Sequence, residues 1–192
     1  FGANVLDGRV QEQEGIPFMD APCQRVDGLK PNAKIVICDL DGTIAMDSCG
    51  RDMYKVGELH KDSVRHSLRI MLGHLYHEGY QIYMFSAREN KPLVNEDAFD
   101  EDRVRVLMSE YGEATGITSS YHWLQERFIP FDKLVLRSNG IHERDMTMKI
   151  KIFNSFIPDP SQVLCAFDDN DPIVALWRSK GIDTYQAQPG WD

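Results

Sequence analysis

No stretch of this sequence is apolar for long enough to cross a bilayer, and no charged-then-apolar leader stands at its start. A membrane protein and a secreted one are therefore not expected, and a cytoplasmic setting is. Positive charge is scarce: 21 Lys and Arg face 30 Asp and Glu, for a net charge of −9. That excludes the broad basic face that tracks a nucleic-acid backbone, so any contact with a nucleic acid has to be local. The four cysteines (Cys23, Cys38, Cys49, Cys165) show no CxxC spacing, and Cys38 and Cys165 fall inside apolar runs, so reduced thiols are expected. There is no G-x-x-x-x-G-K-[ST] phosphate loop, no internal repeat and no low-complexity tract. The six histidines carry no role, since His74 and His77 stand three apart without a carboxylate at metal spacing.

What is present suits one globular domain. A chain of 192 residues with 42% apolar content can bury a real core but is too short to expect two. Because it begins with Phe1, it is expected to be a piece of a longer polypeptide or a processed chain. Residues 1–33 are rich in Gly and Pro (Gly15 to Pro17, Asp27-Gly28, Lys30-Pro31) and read as a lead-in or linker. Lys34 to Cys38 is a continuous β-branched run, the pattern of a strand covered on both faces. After an irregular stretch to residue 60, Asp62 to Glu78 carries a helical stripe of Val64, Leu68, Met71, Leu72 and Leu75, and Tyr80 to Phe85 is a second strand. An acidic run from Glu96 to Asp102 leads into a helix striped by Val104, Leu107, Met108 and Tyr111, whose N-terminus it would complement. A short helix over Ser120 to Phe128, a strand over Lys133 to Leu136, a helix over Asp145 to Ile157 (apolar face Met146, Ile150, Phe153, Ile157) and a strand over Val163 to Phe167 follow. Asp171 as N-cap with Pro172 opens a last helix, and Asp183 to Gln186 is a fifth strand. Strand and helix in alternation predict an α/β fold, a parallel sheet with helices on both faces.

Polar groups sit where several of these elements end. Asp39 and Asp41 emerge where the first strand stops, the region in which open α/β sheets place ligands. Paired carboxylates in different surroundings can divide labour, one attacking or binding a metal while the other moves protons. An Asp-x-Asp-Gly alone is as well explained by a turn. Here Ser86-Ala87-Arg88 ends the second strand, Lys149 lies on a later helix, and Asp168-Asp169 ends the fourth strand.

Asp39-Leu40-Asp41-Gly42-Thr43, Ser86, Lys149 and Asp168-Asp169 together, in that order, resemble the four motifs of the haloacid dehalogenase superfamily. Arg51, Arg88, Asp145 and the Phe167 to Trp177 segment are similar to the 3′-phosphatase domain of bacteriophage polynucleotide kinase-phosphatase. The resemblance covers roughly residues 34–190. It implies a haloacid dehalogenase-like (Rossmann-like) phosphatase domain over 34–192, with a small cap insertion in 45–60 and 89–130. It further implies Asp39 as nucleophile and Asp41 as acid and base. Thr43, Ser86 and Lys149 would face the phosphoryl group, with Arg51, Arg88 and Asp145 on the substrate. Asp39, Asp41 (through its carbonyl), Asp168 and Asp169 would stand around Mg²⁺, whose hard character suits oxygen ligands. The implied substrate is a 3′-phosphorylated DNA or RNA end or a nucleotide, in a phage-infected bacterial cell, with any kinase domain outside this chain.

Each residue also has a plainer explanation. Thr43 can cap its turn, Ser86 can end a strand, and Lys149 can pair with Asp145 at i, i+4 on a helix surface. Two other functions compete: a phosphatase acting on free nucleotides or small phosphomonoesters, which the acidic charge favours, and a non-catalytic module that holds a phosphorylated end. The intact Asp39 and Asp41 speak against the second.

Overall fold

The computed structural model describes residues 18–22, 32, 34–47, 50, 56–93 and 100–188. Five parallel strands form the centre of the molecule: β2 (Ile35–Cys38), β5 (Gln81–Asn90), β6 (Lys133–Ser138), β7 (Val163–Asp168) and β8 (Thr184–Gln186). Their order across the sheet is β6-β5-β2-β7-β8. From β2 the chain builds outward through β5 to β6, then crosses back to start β7 on the other side of β2. The switch point of the topology therefore lies between β2 and β7, and the crevice beyond their carboxyl ends is where such sheets bind ligands.

Alternation along the strands feeds two cores. Val36, Cys38, Ile82, Met84, Leu134 and Leu136 point to one face and pack with Leu68 and Leu72 of α1 (His66–His77) and with Ile117, Trp123 and Leu124 of α3 (Gly116–Glu126). Ile35, Ile37, Phe85 and Val135 point to the other, under α4 (Asp145–Phe156) and α5 (Asp171–Ser179), which contribute Met148, Ile152, Phe153, Ile173 and Trp177. The helices thus cover both faces, as the alternation of strand and helix predicts. Cys38 and Cys165 are buried free thiols, and burial pushes both thiol pKa values up, Cys165 to about 11.

Several expectations need correction. Inside the stretch read as a lead-in, β1 (Phe18–Pro22) pairs antiparallel with β6 and extends the sheet by one edge strand. Pro22 is tolerated because it ends an edge strand, where a missing N–H breaks no central ladder. The first helix starts at His66 and not Asp62, because β4 (Ser63–Val64) is drawn into a two-stranded ladder with β3 (Ala45–Met46). Val64 thus belongs to a strand, and Met71 is exposed. On α4 the buried face is Met148, Lys149, Ile152 and Phe153, while the expected Met146 is exposed. The cap of α5 is Asn170, one residue earlier than expected. Of the stretches expected to hold cap elements, 45–60 supplies β3 and a 3-10 turn that begins at Val56. In 89–130, α2 (Glu101–Tyr111) makes a small separate core with Leu93, Leu107 and Ala114. The helix α3 lies in that stretch too, but it is a covering helix of the sheet. Asp100 caps α2 by accepting from the Arg103 N–H at 3.0 Å, the role foreseen for that part of the acidic run; Glu96 and Asp97 lie outside the described residues.

Candidate active site

The carboxyl end of β2 is held rigidly before it offers any chemistry. The Asp39 N–H donates to the Phe167 carbonyl of β7 at 3.0 Å, and three successive amides, Thr43, Ile44 and Ala45, converge on the Leu40 carbonyl. Gly42, at φ 76°, permits this tight reversal. Arg65 then clamps it from outside, donating through Nε to the Thr43 carbonyl at 2.7 Å and through Nη2 to the Gly42 carbonyl at 2.9 Å. Sequence reasoning gave Arg65 no part. Its position between β4 and α1, at the N-cap of the helix, left no signal.

Helix α4 and the end of β7 converge on this loop. Lys149, buried on α4, donates to Asp39 Oδ1 at 2.7 Å and to Asp168 Oδ2 at 2.6 Å. The pairing with Asp145 considered for a surface lysine is therefore not its arrangement. Asp168 is anchored in turn by the Asn170 N–H at 3.2 Å, and Asp169 accepts from the Thr43 hydroxyl at 3.1 Å. Ligand oxygens of Asp39, Asp168 and Asp169 all lie within 4.8 Å of one another. The Asp41 carboxylate is not part of that trio. Three carboxylates around one ammonium are short of positive charge, and hard oxygen donors at this spacing fit a divalent cation such as Mg²⁺.

The electrostatics follow from burial. Burial pushes the Asp39 carboxyl up, with Asp168 and Asp169 adding to the push and Lys149 opposing it. Burial also raises Asp169, though the Thr43 hydroxyl works the other way. For Lys149 burial disfavours the charged form, but Asp39 and Asp168 outweigh it and hold the amine protonated, its pKa above the usual lysine value.

Arg88, the buried arginine two residues beyond Ser86, reaches Asp41. Its Nε donates to Asp41 Oδ2 at 2.5 Å and its Nη2 to Asp41 Oδ1, a bidentate fork, while Asp62 Oδ2 stands 3.6 Å from Nη2. Its Nη1 is buried without a hydrogen-bond partner. The Ser86 hydroxyl accepts from the Arg88 N–H at 3.2 Å. Thr43 and Ser86 thus brace Asp169 and Arg88 here, instead of lining the open space. Asp145, at the start of α4, is exposed at the cavity edge. Arg51 lies outside the described residues.

The space these groups surround is a cavity of about 450 Å³, within the range of small-ligand sites. Seven carboxylates line it against four cationic side chains, Arg88, Lys91, Arg137 and Lys149. Of these, Lys91 and Arg137 escaped sequence reasoning. For Arg137 a signal existed: it follows the third predicted strand directly, in the position that drew attention to Asp39 and Ser86.

Known proteins bear on this arrangement. A protein of Autographa californica nuclear polyhedrosis virus, provisionally named a bifunctional polynucleotide kinase/RNA ligase, is 23% identical over 155 residues, which are 79% of this chain and 19% of that protein. Among solved structures, a chain of the Pnkp1/Rnl/Hen1 RNA repair complex superposes with a TM-score of 0.65 at 21% identity, over 86% of this chain and 46% of that one. A Mesorhizobium loti protein provisionally described as a haloacid dehalogenase-like phosphatase gives 0.56 at 13% identity, over 91% and 84%. The chain therefore spans less than half the length of the first two relatives, and at these identities the superpositions speak for the fold. The family model of the polynucleotide kinase PNKP phosphatase domain matches residues 33–191. The chain belongs to that family, a phosphatase domain of the haloacid dehalogenase superfamily.

Proposed function

We propose that this domain is a Mg²⁺-dependent 3′-phosphatase that removes the terminal 3′-phosphate from a DNA or RNA end through a phosphoaspartyl intermediate. The observation that carries the reading is the convergence of Asp39, Lys149 and Asp168 within 2.7 Å contacts at the switch point of the sheet. Phosphoryl transfer needs positioning and neutralised charge more than covalent machinery. An oxygen of Asp39 attacks phosphorus as the bond to the 3′-oxygen breaks, and Asp41 delivers a proton to that leaving oxygen. Asp41 then takes a proton from water, whose oxygen attacks the phosphoaspartate and releases inorganic phosphate with Asp39 restored. Lys149 fixes the nucleophile's orientation and offsets charge on the transferring group. Held by Asp39, Asp168, Asp169 and the Asp41 carbonyl, Mg²⁺ would supply the further positive charge that the three carboxylates lack. Arg88, Arg51 and Asp145 are assigned to the substrate side. Because Arg88 forks Asp41 in the structure, Asp41 must part from it to carry a proton.

The relatives' names support a setting in nucleic-acid end healing, alongside a kinase domain outside this chain. The deciding experiment measures phosphate release, with Mg²⁺ and with EDTA, from 3′-phosphorylated and 5′-phosphorylated oligonucleotides and from 3′- and 5′-nucleotides. Release confined to 3′-phosphates and lost with EDTA is expected. Equal or better release from 5′-nucleotides would reassign the domain to general nucleotide phosphatases, and no release at all would leave a binding module.

A further inference from the structure

Arg137 is a cation of the cavity that the catalytic chemistry does not use. Arg137 occupies the carboxyl end of β6, opposite Glu89 of β5. It shares a strand face with Val135, which is buried beneath α4, so the side chain emerges on the α4 side, beside the N-terminal end of that helix. There it lines the same cavity as Asp39 and Lys149. Its side chain is 17% exposed, and Nη1 donates to the Glu143 carbonyl at 3.0 Å. The carboxylate near it belongs to Asp145, whose oxygen is 3.9 Å away on a side chain 58% exposed, too far for a hydrogen bond and screened by solvent. Glu143 turns one carboxylate oxygen to Lys151 and keeps the other, Oε2, buried without a partner. Nε of Arg137 is likewise buried with no hydrogen-bond partner. By contrast, Lys149 is engaged by two carboxylates and Arg88 by a bidentate one.

Among the described residues this cavity-lining guanidinium makes one hydrogen bond, to a carbonyl, and has no carboxylate within hydrogen-bond distance, and a phosphate is the ligand its planar fork suits. That phosphate is not the one undergoing hydrolysis. The strand order places β6 two positions from β2, which at 4.7–4.9 Å per strand is roughly 10 Å from the nucleophile's strand end. Such a separation matches the neighbouring phosphate along a nucleic-acid strand better than a second contact to the same one. Resting on the 3′-phosphatase reading above, we infer that Arg137 forms an anionic subsite for the phosphate on the 5′ side of the terminal nucleotide. It makes the domain prefer ends that carry this second phosphate over nucleoside 3′-monophosphates.

The smallest pair of substrates that isolates the subsite is a nucleoside 3′,5′-bisphosphate and the matching nucleoside 3′-monophosphate. The wild-type chain is expected to hydrolyse the 3′-phosphate of the bisphosphate with kcat/KM about 10-fold or more above the monophosphate, the range for a charge-assisted hydrogen bond. Arg137→Ala should erase most of that difference by raising KM for the bisphosphate, leaving the monophosphate within about twofold of wild type. Arg137→Lys should be intermediate, since it keeps the charge but lacks the fork, and its thermal unfolding provides the check that the fold is intact. With a 3′-phosphorylated oligonucleotide, the slope of log(kcat/KM) against log[salt] should flatten by about one phosphate contact in the alanine variant. Equal losses on both small substrates, or a wild-type chain with no preference between them, would overturn the subsite. A wild-type chain inert on both but active on 5′-nucleotides would instead sink the 3′-end reading, and the subsite with it.

Discussion

Two of the charged clusters among the described residues are built differently. Between α2 and α3, His122 stands between Glu110 at 2.9 Å and Glu126 at 3.1 Å, while Arg103 reaches both oxygens of Glu126 at 3.2 and 3.3 Å and Arg127 adds a contact at 3.2 Å. Acid and base there answer each other, and the two glutamates are nearly half exposed. At the end of β2 and β7, two of three clustered carboxylates share one buried ammonium, and Arg88 and Arg137 line the cavity beside them. In the first cluster the charges pair off within the protein, although Arg103 Nε is buried without a hydrogen-bond partner. The second gathers three carboxylates within 4.8 Å of one another beside a cavity, the surplus of one sign that a functional site, more than a brace, tends to carry.

Breaking the second cluster should therefore destroy activity and spare the fold. The largest effect is expected from Asp39→Asn. An amide is a far poorer nucleophile, so turnover and the acid-stable phosphoaspartyl adduct should both vanish while the nearly isosteric chain still unfolds cooperatively. Retained turnover in that variant would remove the covalent mechanism. Chelation should be comparably severe: exhaustive EDTA treatment stops phosphate release, Mg²⁺ restores it, and Ca²⁺, with its larger and looser coordination, restores it poorly.

Asp41→Asn and Arg88→Lys come next. Loss of proton transfer typically costs about 10²- to 10⁴-fold, so slow residual release is expected for Asp41→Asn. Full activity there would move the acid elsewhere. For Arg88→Lys the loss should be smaller, near about 10²-fold, since the ammonium keeps a charge in the cavity but cannot fork Asp41. A wild-type rate for Arg88→Lys measured at saturating 3′-phosphorylated oligonucleotide would reduce Arg88 to a structural partner of Asp41 and Asp62.

What the sequence disclosed of all this depended on whether chemistry and hydrophobicity agreed. At β2 they did: a continuous apolar strand ends in Asp39, and both the strand and its carboxylate are found as read. On α4 they conflicted. A lysine that chemistry turns inward counts as polar, so the apolar stripe is read with Met146 inside and Met148 out, although Phe153 and Ile157 are buried as read. The α1 boundary failed for a related reason, because pairing of Ser63 and Val64 with Ala45 and Met46 is non-local and overrides helical spacing. β1 was hidden by the prolines around it, which read as linker signals although an edge strand accepts them. The Arg88–Asp41 fork joins residues 47 apart in sequence and leaves no local pattern.

The smallest effect should come from the first cluster. Arg103→Gln removes the fork from Glu126, a pair in which Glu126 is 41% exposed, so solvent screening limits the loss to about 0.2–1 kcal/mol. Burial alone would raise the Glu126 carboxyl, but Arg103, with His122 and Arg127, outweighs it and holds the pKa below the usual glutamate value. A carboxylate depressed in the folded state contributes stability that is present above its unfolded pKa and is lost as pH falls through the folded one. The gap in unfolding free energy between wild type and Arg103→Gln should therefore be widest near neutral pH and close as acid protonates Glu126. Denaturant titrations at a series of pH values measure it directly. Phosphate release from a 3′-phosphorylated oligonucleotide should stay at the wild-type rate throughout, because nothing in this cluster faces the cavity. A fall in that rate without a fall in stability would show that the α2–α3 cluster belongs to the site after all, and the contrast between the two clusters would dissolve.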